Sequence, residues 1–151
     1  MAEDVRLERV EARVLAALTD TVPEARIGEV IRRGLAAVWP LVREQGVRFG
    51  HNVFVYRDVG GGNLEVSIGV EVLGAFEERG EVRLTSTPSG EAITTAHFGD
   101  YSAMQPAYER LGRWCTENGR TPSGTSWEIY GDPEEDPAKT RTDITFLLAP
   151  A

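Results

Sequence analysis

Two strand-like stretches carry the residues whose chemistry stands out. In "SGTSWEIYGD" (123–132), Glu128 interrupts the strand formers Trp127, Ile129 and Tyr130. In "GHNVFVYRD" (50–58), Phe54 and Tyr56 occupy the equivalent places, because the two stretches align without a gap. Gly50 matches Gly124, Tyr56 matches Tyr130 and Asp58 matches Asp132. Side chains alternate across a strand, so Glu128 and Tyr130 share one face and Trp127 and Ile129 the other. The apolar Trp127/Ile129 face is expected to pack on helices. The opposite face then gathers Phe54, Tyr56 and Tyr130 around the Glu128 carboxylate. Aromatic faces attract organic cations, by ~0.5–2 kcal/mol each. A carboxylate in an apolar hollow is costly unless a cation or hydrogen-bond donors compensate it. Such a face suits a flat, apolar, positively charged ligand. The plainer alternative is a half-exposed strand glutamate paired with a nearby Lys or Arg.

Other reactive residue types point nowhere so specific. His51 and His97 lie on different elements, without HxH or HExxH spacing, and no metal is expected. Cys115 excludes an internal disulfide and a cysteine-cluster metal site, and reads as a small core residue. "DVGGGN" is followed by a strand pattern and not by a helix, so it is a hairpin turn and no phosphate loop. No nucleophile elbow is present. Trp39 and Trp114 are expected in the core.

Elements must hold these residues in place. Residues 5–18, "VRLERVEARVLAAL", open as a strand at Val5, Leu7 and Val10, while Val14, Leu15 and Leu18 also fit a helical period. The pattern Ile27, Ile31, Leu35, Val38 and Val42 predicts a helix, starting near Thr21 or Pro23 and stopped by Gly46. Pro40 is expected to bend or break it. Two strands follow around "GGG" at 60–62, then one interrupted strand or two in "VRLTSTPSGEAITTAHF". A second helix, capped by Asp100 or Ser102, runs to Gly119. "TSWEIYGD" and "RTDITFLLAP" are the last strands, joined by the acidic loop "PEEDPAK".

The order strand, helix, strand, strand occurs twice. The expected fold is α+β: duplicated β-α-β-β units related by a pseudo-twofold axis, with an antiparallel sheet carrying two main helices on one face and a central cleft on the other. The chain of 151 residues reads as a single domain over 1–151, with half-repeats at about 5–75 and 80–150. Net charge is −8, which argues against nucleic-acid binding and against docking on an anionic membrane. No apolar run is long enough to span a bilayer, and the charged start "MAEDVRLERV" has no signal-peptide core, so a cytoplasmic protein is expected.

The run "AITTAHFGDYSAMQPAYERLGRWCTENG", with "GTSWEIYGDP" and "RTDITFLLAP", resembles the C-terminal half of a gyrase-inhibitor-like (GyrI-like) domain. This small-molecule-binding module also serves as the effector domain of multidrug-responsive transcription activators. The matching features are Gly99-Asp100-Tyr101, a helix with a late Trp, the Trp-Glu-x-Tyr strand, Asp132-Pro133 and a final strand ending in Pro. The match is densest over residues 90–150. By that resemblance Glu128 takes the place of the family's central pocket glutamate and Tyr130 its neighbouring aromatic. Phe54 and Tyr56 would line the opposite wall, and Tyr101 would reach the rim.

The resemblance implies a small organic ligand, cationic or aromatic, and no cofactor. It also implies a stand-alone role, since residues 1–20 are too short for a helix-turn-helix. Some members hydrolyse cyclopropane-bearing genotoxins, which would make Glu128 and Tyr130 catalytic. A protein-binding or sequestering module is a further alternative. A SOUL-type haem relation would need an axial ligand such as His97.

Overall fold

The structure is a computed structural model that describes residues 4–151, so the first three residues of the charged amino-terminal stretch lie outside the described residues. The described residues form an α+β fold, with eight strands, antiparallel in the pairings given below, and two α-helices. It divides into two compact units.

One unit comprises residues 12–87. It holds β2 (Val14–Pro23), α1 (Ile27–Gln45), β3 (Phe49–Gly60), β4 (Asn63–Val72) and β5 (Arg83–Ser86). Pairing gives the strand order β5-β2-β4-β3. The β3–β4 hairpin turns through Gly60, Gly61 and Gly62, all at positive φ, which other residues adopt only with strain. Helix α1 starts later than expected, because residues 21–23 complete β2 and residues 24–26 form a short 3-10 turn. It ends on Gly46 in the left-handed conformation, as expected.

Pro40 does not break α1, which runs unbroken through it. Pro40 and Ala36, whose carbonyl loses its partner, are both exposed, so water can take that acceptor. The buried stripe is Val30, Gly34, Val38 and Val42, with Ile27, Ile31 and Leu35 only half-buried. Gly34 explains the rotation. A Cβ there would come 2.6 Å from the Cβ of Ile68, so glycine lets the helix backbone seat on β4.

The other unit comprises residues 4–11 and 88–151. It holds β1 (Arg6–Val10), β6 (Gly90–Phe98), α2 (Gln105–Asn118), β7 (Pro122–Tyr130) and β8 (Arg141–Leu148), in strand order β1-β6-β8-β7. Ala107, Leu111 and Cys115 of α2 close over Ile93, Ile144 and Leu148. Cys115 is thus a core residue, and burial pushes its thiol pKa up. Gly119 ends α2 in the left-handed conformation. Asp100 caps the 3-10 turn Tyr101–Ala103, not α2 itself, which begins after Met104 with Pro106 in its first turn.

The strand read over residues 5–18 is two strands that serve different units. β1 pairs with β6, and β2 pairs with β4 and β5. Likewise "VRLTSTPSGEAITTAHF" is broken around Pro88 into β5 and β6, one for each unit. Each unit therefore has a β-α-β-β run plus one short edge strand, in the same spatial order.

Candidate functional site

The face assignment from the sequence is reversed by the register of β7. Glu128 lies directly opposite Ile144, and Ile144 packs against Leu111 of α2. Residues directly opposite on neighbouring strands share a face. Glu128 and Tyr130 therefore lie on the α2 side. Trp127 lies opposite Thr145, whose hydroxyl bonds to Thr94 on the other face. Trp127 is itself only 3% exposed, so both faces of β7 are covered here, and apolar character alone could not tell which one met the helix. In the unit of residues 12–87, Phe54 lies opposite Ile68, the residue that Gly34 of α1 approaches. Phe54, and Tyr56 two residues on, are thus also on the helix-bearing side of their strands. Phe54 is 7% exposed and Tyr56 half-buried.

Glu128 is 4% exposed. Both carboxylate oxygens accept hydrogen bonds from tyrosines. Tyr108 of α2 donates its hydroxyl to Oε2, and Tyr130 donates to Oε1 at 2.5 Å. Bonds from hydroxyl to carboxylate are among the shorter and stronger hydrogen bonds. The rings extend outward from this centre. Tyr108 lies against Phe146 with ring centroids 5.9 Å apart. Tyr101 meets Tyr130 edge-on at 5.2 Å and 84°. Tyr101 is 52% exposed, so the aromatic line runs from the buried carboxylate to the surface.

Tyr101 is placed by local chemistry. Gly99 takes a φ of 109°. Asp100 then accepts from the Ser102 amide at 2.8 Å and the Ser102 hydroxyl at 2.9 Å. These bonds, the amide's first, hold the Asp100 carboxyl below the usual aspartate range. His97 Nε2 lies 2.8 Å from the Asp100 carbonyl oxygen, which ties the turn to the end of β6. Thr142, opposite both Tyr130 and His97, is fully buried, and its hydroxyl has no hydrogen-bond partner among the described residues.

Of the residues singled out from sequence, the structure brings Glu128, Tyr130 and Tyr101 together in one unit. Phe54 and Tyr56 belong to the other. Tyr108 was missed. Its signal was present: a tyrosine at the margin of the apolar stripe Met104, Ala107, Leu111 and Cys115, where its ring can pack while its hydroxyl needs a partner. Among the described residues no group of three or more His, Cys, Asp or Glu is placed to hold a metal ion. No helix among them is long and apolar enough to cross a membrane.

Comparison with known families settles the class. The model of the GyrI-like small molecule binding domain matches residues 3–149. The chain belongs to the GyrI-like family.

No curated protein matches this GyrI-like chain. Among solved structures, the EcmrR C-terminal domain aligns over 100% of both chains with a TM-score of 0.78 at 21% identity. In the EcmrR–DNA complex the alignment again covers all of this chain, with a TM-score of 0.76 at 20% identity, but the chain spans only 59% of the EcmrR chain's length. A hydrolase from Listeria innocua aligns with a TM-score of 0.67 at 13% identity, over 96% of this chain and 91% of its own. SAV2435 bound to tetraphenylphosphonium aligns with a TM-score of 0.65 at 14% identity, over 97% and 94%. At these identities the likeness is one of fold.

Proposed function

We propose that this GyrI-like domain binds an organic, lipophilic cation at Glu128. The observation that carries the reading is a buried carboxylate held at both oxygens by tyrosine hydroxyls and ringed by aromatic side chains. Tyrosine hydroxyls are neutral donors, so they orient the carboxylate without cancelling its charge. Ring faces add cation–π attraction where water is excluded. The family's small-molecule role supports the reading. The tetraphenylphosphonium held by SAV2435, a neighbour in fold, has the chemistry in question. Tyr130 and Tyr101 would supply stacking surface, and Phe54 and Tyr56 are proposed as further ligand-contacting residues. The shared strand order supports a second inference, that the two units descend from one duplicated β-α-β-β ancestor.

The test is isothermal titration with tetraphenylphosphonium and with neutral tetraphenylmethane-type analogues. Glu128→Gln keeps shape and one of the two acceptor oxygens but replaces the other with an amide donor and removes the charge. It is expected to weaken the cation at least tenfold, about 1.4 kcal/mol, and to spare the neutral compound. Equal losses for both would remove charge from the account.

A second reading is hydrolysis of an electrophilic, cyclopropane-bearing compound. The direct Tyr130–Glu128 and Tyr108–Glu128 bonds favour it, since a carboxylate touching phenols offers a base beside a proton donor. The neighbouring Listeria innocua hydrolase shares the fold. A ring-opened, hydrated product that vanishes in Glu128→Gln while ligand binding persists would establish it; absence of turnover leaves a binder.

A further inference from the structure

A cavity lies in the unit that carries Glu128, on the other flank of α2. Its volume is about 640 Å³, within the range of small-molecule sites. The α2 side contributes Arg110, Arg113, Trp114 and Glu117; Asp4, Val5 and Arg6 come from the start of β1 and the two residues before it. At 3.6 residues per turn, Arg110 stands about 160° and Trp114 about 120° around the helix from Tyr108. The cavity also sits at β1, whereas Glu128 sits on β7, with β6 and β8 between them. Three strand spacings separate the two places, about 14 Å. The cavity is thus distinct from the Glu128 site and does not rest on the reading proposed for it.

We propose that this cavity binds a monoanionic aromatic acid, a carboxylate or sulfonate on a flat ring system. Three guanidinium groups and two carboxylates line it, in a chain of net charge −8. Arg110 is held in place: its Nη2 donates to the Ala96 carbonyl at 3.1 Å and to the Thr95 hydroxyl at 3.4 Å. Guanidinium groups match carboxylate and sulfonate geometry with paired donors. Arg6 and Arg113 stand exposed beside it, and Arg6 reaches Glu8 only at 4.0 Å. Trp114 is half-buried against the core, which fixes its ring as a wall. Val5 packs on the same core and supplies apolar floor. Asp4 and Glu117 set the limit on charge. With these acids beside the arginines, the cavity suits no more than a single negative charge and repels a polyphosphate.

The experiment titrates 2-naphthoate into the full chain by calorimetry, beside its neutral methyl ester. The acid is expected to bind with the ester at least tenfold weaker. Arg113→Glu, at an exposed position, is expected to weaken the acid at least tenfold, and Arg6→Glu serves the same purpose should circular dichroism show that variant misfolded. Glu128→Gln is expected to leave naphthoate affinity unchanged, and tetraphenylphosphonium is expected not to compete. Equal affinity for acid and ester, indifference to both arginine reversals, competition by tetraphenylphosphonium, or no saturable binding would each overturn the proposal.

Discussion

At the scale of single residues, the Glu128 centre depends on two phenols from different elements. Removing either leaves one oxygen of a buried carboxylate with a donor fewer. Hydrogen bonds to charged groups contribute about 1.5–3 kcal/mol, so Tyr130→Phe and Tyr108→Phe are each expected to lower unfolding stability by about that amount in urea titrations. A loss below ~0.5 kcal/mol in both would mean that these bonds do not hold the carboxylate. Asp100 governs the Tyr101 turn through pH. Its carboxyl is depressed below the unfolded aspartate value by the Ser102 amide and hydroxyl. Its contribution is therefore present above the unfolded pKa of about 3.9 and is lost as pH falls through the lower folded value. The Ser102 amide should be protected from exchange at neutral pH and lose protection in strong acid, and Asp100→Ala should abolish that dependence, as followed by NMR. Glu128 was legible as an odd residue because a carboxylate in an apolar strand is rare. Tyr108 was not, because a tyrosine bordering a helical stripe is ordinary until its hydroxyl's partner is known.

At the scale of elements, local chemistry wrote most boundaries. Gly46 and Gly119 end the helices in the left-handed conformation, and three consecutive glycines turn the β3–β4 hairpin. These features need only φ values and short-range hydrogen bonds, so they are readable without a fold. The seating of α1 is different. It depends on Gly34 meeting Ile68, a contact across 34 residues of chain. Gly34→Ala gains helix propensity but forces a Cβ to 2.6 Å from another. Overpacking of this kind costs about 1–3 kcal/mol. A net loss of stability in urea is expected, and a net gain would show that the helix can slide off β4 freely.

At the scale of the whole molecule, the exchange of β1 and β5 matters most. β1 precedes the 12–87 unit in sequence yet pairs with β6, and its neighbour Val5 packs on the α2 core. Deleting residues 4–11 should therefore strip the edge of β6 in the unit that carries Glu128. Hydrogen exchange by mass spectrometry is expected to show protection lost over residues 88–118 and kept over 12–72. The opposite pattern would contradict the assignment of β1.

What the amino acids determined alone were the class of fold, the two helices with their glycine stops, the glycine hairpin and a carboxylate set among aromatics. Each follows from periodicity, glycine conformation and residue type, all of which act over a few neighbouring positions. What only the tertiary structure decided was which side of β7 met a helix, that Tyr108 completes the Glu128 centre, and which unit each short strand joins. Those depend on register and on pairings distant in sequence, where a shift of one residue turns every side chain to the opposite face.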